Sequence, residues 1–180
     1  MPSFLIPVES VSGETRVAAS PETAKKLISL GCEVLLEKGA GMKAGFRDDA
    51  YSDVGVQLIP SGDDEAWSKA NVLLCVQAPK NDYLAKLQPR ALLVGLLAPY
   101  RNNALANSLK TGHLSALSLE LLPRISRAQS ADALSSQANV AGYKSVLLAA
   151  GALDRYFPML MTAAGTVQPA KVVVLGAGVA

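Results

Sequence analysis

Short apolar runs alternate along most of the chain with polar stretches of about ten residues whose apolar positions keep helical spacing. Phe4-Leu5-Ile6-Pro7-Val8 reads as a first strand that Pro7 confines to an edge or an end. Ser20 is then placed to cap a helix with Pro21 at its first position, Glu22 in its first turn and Gly31 as its stop. A strand at Cys32 to Glu37 follows, then the turn Lys38-Gly39-Ala40-Gly41 and a short helix from Arg47 to Val54 closed by Gly55. The alternation continues with strands at 56–59, 71–76, 91–97 and 114–119 and helices at 63–70, 82–87 and 102–110. Strands that alternate with helices of this length are joined by right-handed crossovers into a parallel sheet.

The pattern changes after Leu119. From Ser135 to Tyr156 it predicts one long helix rich in small residues, among them Ala138, Gly142, Ala149 and Gly151. At roughly 1.5 Å per residue such a helix spans about 30 Å, enough to leave one domain and enter another. Beyond Phe157-Pro158 and Gln168-Pro169, Lys171 opens the run Val172-Val173-Val174-Leu175, continuously apolar as a strand buried on both faces should be, and Gly176-Ala177-Gly178-Val179-Ala180 follows it. That is G-x-G-x-x, in which glycines let a pyrophosphate approach the backbone. The 180 residues stop where a third glycine is due.

Composition narrows the class. Half of the residues are apolar, but no run approaches the roughly 18 uninterrupted apolar residues of a membrane span, and Glu9 and Glu14 interrupt the N-terminus against a signal peptide. A soluble, cytoplasmic chain is expected. The 17 basic and 15 acidic residues are spread without blocks, so neither nucleic acid nor an anionic membrane is indicated as a partner. Cys32 and Cys75 fall in apolar runs and read as packing residues, and nothing has metal-ligand spacing. Lone Trp67 reads as packing too.

In a parallel sheet, ligands bind beyond the carboxyl ends of the strands. Arg16, Gln77, Pro99-Tyr100-Arg101 and Glu120 to Gln129 all follow strands and belong at that edge. The one histidine, His113, precedes its strand and belongs at the opposite edge. Between the last strand and the long helix, Pro123 to Asn139 packs two guanidinium groups, a carboxylate, amides and hydroxyls into one connector. A helix cap accounts for Asp132 or Ser135, but not for Arg124, Arg127 and Gln129. This loop is the candidate site.

Those residues carry a resemblance. Glu14-Thr15-Arg16-Val17-Ala18, Glu37 to Gly41, Arg124-Ile125-Ser126-Arg127-Ala128-Gln129-Ser130, Met161 to Thr166 and the closing Val-Leu-Gly-Ala-Gly-Val-Ala resemble the alpha subunit of proton-translocating NAD(P) transhydrogenase, within the alanine dehydrogenase and transhydrogenase family. The resemblance implies a Rossmann-like parallel sheet flanked by helices (1–134), a long bridging helix and linker (135–170), and the first strand of a second, incomplete Rossmann domain (171–180). It implies hydride transfer between NADH and NADP+ coupled to proton translocation, with NAD(H) on this subunit and NADP(H) on a beta subunit. Membrane subunits would be further partners, the domain would be a homodimer, and the chain would sit peripherally at the cytoplasmic face of a membrane. By the same resemblance Arg124, Gln129, Asp132 and Ser135 are catalytic, while Ile125, Ser126 and Arg127, with Gly176, Gly178 and Val179, join Arg124 and Gln129 in holding the cofactor. No metal is implied.

Alanine dehydrogenases of the family carry a lysine after the fourth strand and a histidine after the fifth, where this chain has Gln77 and Leu96-Leu97-Ala98-Pro99. Oxidising an amino acid releases a proton and needs a base, whereas transfer between two nicotinamides does not. Transhydrogenase is therefore the expectation, with the present 180 residues inactive alone. The alternatives are an alanine dehydrogenase-like oxidoreductase and a non-catalytic fragment.

Overall fold

The computed structural model describes residues 1–180, which divide into two units, Met1–Leu122 and Pro123–Ala180. The first is a six-stranded, wholly parallel sheet of β1 (Ser3–Ile6), β2 (Glu33–Glu37), β3 (Gln57–Ile59), β4 (Val72–Gln77), β5 (Leu92–Leu96) and β6 (Ser115–Ser118). Their order across the sheet is β3-β2-β1-β4-β5-β6. Helices α1 (Pro21–Ser29), α2 (Asp48–Ser52), α3 (Asp64–Lys69), α4 (Asn81–Leu84) and α5 (Asn103–Thr111) make the crossovers.

Period-two alternation sends neighbouring residues of one strand into different cores. Leu5 and Leu35 pack with Trp67, Leu73, Leu93 and Leu105 on one face, while Ile6, Val34 and Leu36 pack with Ala24, Tyr51 and Val56 on the other. The central strands are apolar on both sides for this reason. At Gly95 an added Cβ would stand 2.4 Å from the carbonyl oxygen of Cys75, so β4 and β5 reach their spacing only with glycine there. Cys75 is buried as expected, but Cys32 precedes β2 and is only half-buried.

The second unit holds α6 (Ala133–Ala152) and an antiparallel pair, β7 (Leu160–Thr162) and β8 (Gly165–Val167). The helix ends four residues before the expected Tyr156, and none of its residues is buried. The hairpin was not expected; its turn is closed by Gly165 at φ +135°, a conformation open to glycine and costly for other residues. Val172–Leu175, expected as a strand, pairs with no other segment, and its four side chains are 63% to 95% exposed. A parallel strand needs a neighbour to take its N–H and C=O groups, and these residues have none within the unit. No helix is long and apolar enough to cross a membrane.

Candidate functional site

In the first unit the chain runs outward in one direction from β1 to β3 and in the other from β4 to β6, so β1 and β4 flank the topological switch point. Ligand crevices in open α/β sheets open there, at the carboxyl ends. Four polar side chains meet at this place. Glu9 accepts hydrogen bonds from the backbone N–H groups of Val76 and Gln77, tying the segment after β1 to the end of β4. Arg16 donates to both oxygens of Glu14, from Nε at 2.8 Å and from Nη2 at 2.7 Å. Gln77 Nε2 donates to Glu14 Oε2 at 2.6 Å.

These contacts set the charge states. The Arg16 guanidinium, with help from Gln77 and against the effect of burial, pulls the Glu14 carboxyl down to about 2. Burial pushes Glu9 up instead, and the donors of Val76 and Gln77 oppose it only in part. Arg16 and Gln77, placed at one edge by the order of the elements, are therefore joined through Glu14, whose role was not read from the sequence.

Beside this cluster lies a cavity of about 140 Å³ lined by Val8, Glu9, Glu37, Ser61, Trp67 and Tyr83, among others. Glu37, the last residue of β2, is only 2% exposed and accepts four hydrogen bonds. They come from Val8 N (2.9 Å), Ser61 Oγ (3.1 Å), Gly62 N (2.8 Å) and Trp67 Nε1 (2.9 Å). Trp67 is buried, with its indole N–H spent on this carboxylate and its ring tilted against Tyr83. In the sequence Glu37 stands out as a charged residue closing an apolar run and as the start of the Glu37 to Gly41 segment, neither of which gives its role.

Farther along the same edge, Glu120 accepts from the backbone N–H groups of Leu97 and Ala98 and from Ser118 Oγ. Burial acts against the charge, but these donors outweigh it and bring its carboxyl below the usual range. His113 lies before β6, exposed, with its carbonyl oxygen accepting from Arg90 N, at the amino edge as expected.

In the second unit the candidate loop winds into a 3-10 turn at Ser126–Ala131 that leads into α6. Asp132 caps the helix, accepting from Ser135 N at 3.0 Å and from Ser135 Oγ at 2.6 Å. The Ser135 hydroxyl and N–H, followed by nearby Arg124, lower the Asp132 carboxyl. Arg124, Ile125, Ser126, Arg127 and Gln129 are exposed, and neither guanidinium stands in an ion pair. The sequence-expected residues thus split into a cap, Asp132 with Ser135, and a set of outward donors. Two exposed cations outside any ion pair, in one loop with an amide, suit an anionic, carbonyl-bearing ligand such as a dinucleotide. At Gly176, φ is +95°, and a Cβ at Gly176 or Gly178 would meet nothing within 4 Å, so the backbone before the exposed Val179 is open to close approach by a phosphate.

A parallel, doubly covered sheet with polar groups gathered at its switch point defines a Rossmann-like α/β protein. The model of the alanine dehydrogenase/PNT N-terminal domain matches residues 5–141 and that of the C-terminal domain matches residues 145–180, and the chain belongs to that family. The first portion of the NAD(P) transhydrogenase alpha subunit of Rhodospirillum rubrum is 47% identical over 97% of this chain and 47% of its own length. The alanine dehydrogenase of Mycobacterium tuberculosis is 30% identical over 97% of the chain and 47% of its own. Among solved structures, the transhydrogenase of Sinorhizobium meliloti superposes with a TM-score of 0.92 at 41% identity, covering 98% of this chain and 52% of that one. An L-alanine dehydrogenase gives 0.83 at 30% identity, covering 98% and 49%. The chain spans about half the length of the curated relatives it matches.

Proposed function

We propose that this chain is the NAD(H)-binding part of a proton-translocating NAD(P) transhydrogenase. The observation that carries the reading is the switch point itself: Glu9, Glu14, Arg16 and Gln77 meet there, and no lysine or histidine is among them. Glu14 is held ionised well below neutrality, and its charge already engages Arg16. Amino-acid oxidation requires a group near its working pH to take a proton and a cation to hold the substrate carboxylate. Hydride exchange between two nicotinamides requires orientation alone, and the higher identity to transhydrogenase alpha subunits than to alanine dehydrogenases agrees with this.

In this reading Arg124 and Gln129 orient the nicotinamide end of NAD(H), which supplies the hydride. Asp132 and Ser135 hold the base of the loop, Ile125, Ser126 and Arg127 line its outer side, and Gly176, Gly178 and Val179 open the pyrophosphate turn. NADP(H) belongs to a partner beta subunit, membrane subunits carry the protons across the membrane, and this domain sits peripherally at the cytoplasmic face, paired as a homodimer. The test is to titrate the full-length alpha chain, assembled with its partners, with NADH, with NADPH, and with pyruvate plus ammonia. Transfer from NADH to an NADP+ analogue is expected, and turnover of pyruvate with ammonia would replace this reading by alanine dehydrogenase.

A further inference from the structure

The segment after β5 is held in a shape it does not favour. Ala98 has φ +47°, a left-handed value that its Cβ makes costly, and Pro99 follows it, which further restricts the residue before it. The turn closes through Arg101 N donating to Ala98 O at 2.9 Å. Its tip carries Tyr100, 87% exposed, and the exposed Arg101, which is in no ion pair. An aromatic ring and a guanidinium thus stand in solvent at the edge where parallel sheets bind their ligands.

What holds the turn comes from the 3-10 turn Leu119–Leu121 that follows the next strand, β6. Both Glu120 oxygens are used, Oε2 on Leu97 N at 3.2 Å and on Ser118 Oγ at 2.7 Å, and Oε1 on Ala98 N. A carboxylate is suited to two neighbouring N–H groups because it offers only acceptors. An amide in its place would offer one acceptor and set an NH2 group against the other N–H. We propose that Glu120 is a positioning residue, whose carboxylate latches the Ala98–Arg101 turn in its left-handed form and so fixes where Tyr100 and Arg101 stand at the ligand edge. The function of the latch rests on the hydride-transfer reading, since an oriented stacking face and cation serve a planar, charged ligand such as a nucleotide.

The experiment uses the full-length enzyme with its partners and three variants: E120Q, A98G and the double variant. Glycine adopts a positive φ without a Cβ penalty, so A98G lets the turn keep its shape without the latch. E120Q is expected to speed hydrogen exchange at the Leu97 and Ala98 amides by about tenfold or more, and to lower kcat by about tenfold with KM changed by less than about threefold. A98G alone should stay near wild type, and the double variant should regain at least about half of the lost rate. A residue that merely stabilises the fold would not give this site-specific rescue. Unchanged exchange in E120Q, freed amides with a normal rate, or a double variant as slow as E120Q would each overturn the proposal. If the unaltered complex fails to transfer hydride, the functional reading falls instead, while the exchange measurement still reads the latch.

Discussion

At the scale of single residues, the charges at the carboxyl edge divide into those that hold the sheet together and those left free. Glu37 belongs to the first group, since four donors converge on a carboxylate that is 2% exposed. Glu37→Gln keeps the volume but turns an NH2 group toward two of those donors. A loss on the order of 3 kcal/mol is expected from leaving buried donors unpaired, read as a lower urea midpoint with an unchanged slope. Glu14 makes a pH-dependent contribution. Its carboxyl lies at about 2 when folded against 4.5 ordinarily, so the stability it supplies is full above about pH 4.5 and is lost as pH falls toward 2. Glu14→Gln should therefore flatten that acid limb and lower stability at neutral pH by about 1–2 kcal/mol, screening at the 41% exposed Arg16 side chain limiting the effect. Gln129 is exposed and caps nothing with its side chain, so Gln129→Asn should leave Tm within about 1 °C of the original while slowing hydride transfer by at least about tenfold in the complete complex. Arg16, Gln77 and His113 were placed at the right edges by strand order alone. The roles of Glu14, Glu37 and Glu120 could not be read, because each depends on donor groups brought in from a different strand or loop.

At the scale of elements, the signals that act locally were legible and those that depend on a neighbour were not. Ser20 does cap α1, accepting from Thr23 N with Pro21 in the first turn, whereas Asn102, expected as the first residue of a helix, is the cap of α5 and accepts from Leu105 N. The hairpin of β7 and β8 lacks an Asn-Gly or Asp-Gly turn, and Thr162-Ala163-Ala164-Gly165 is equally readable as loop. Val172–Leu175 has the composition of a strand without the partner that makes one. Asp132 offers a way to separate an element's stability from its chemistry. Asn accepts from the N–H of Ser135 much as Asp does, whereas Ala cannot, so Asp132→Ala should lower Tm measurably and Asp132→Asn should not. If the carboxylate also orients the ligand loop, both variants slow hydride transfer. A normal rate in Asp132→Asn would confine the residue to capping.

At the scale of the whole molecule, the alternation of strands and helices was enough to order the crossovers, and the order in turn put the polar groups at one edge with a switch point between β1 and β4. The proposed nucleotide turn rests on less. Gly176 and Gly178 have the freedom a phosphate turn needs, but in a dinucleotide site the pyrophosphate is bound by a helix N-terminus seated on a paired strand. In this polypeptide the preceding Val172–Leu175 is unpaired, Leu175 is 95% exposed, and no helix follows Gly178 within the 180 residues. The exposed donors of the Arg124–Gln129 loop would then act without the cradle, and ordering an unpaired segment must be deducted from whatever affinity they supply. The 180-residue polypeptide should consequently fold its six-stranded sheet, giving a cooperative melt, yet bind NADH only in the millimolar range in a calorimetric titration, against micromolar binding by the full-length chain. A dissociation constant of about 10 μM or below for the 180-residue polypeptide would mean that the loop alone carries the affinity, and that the glycine turn serves geometry and not binding.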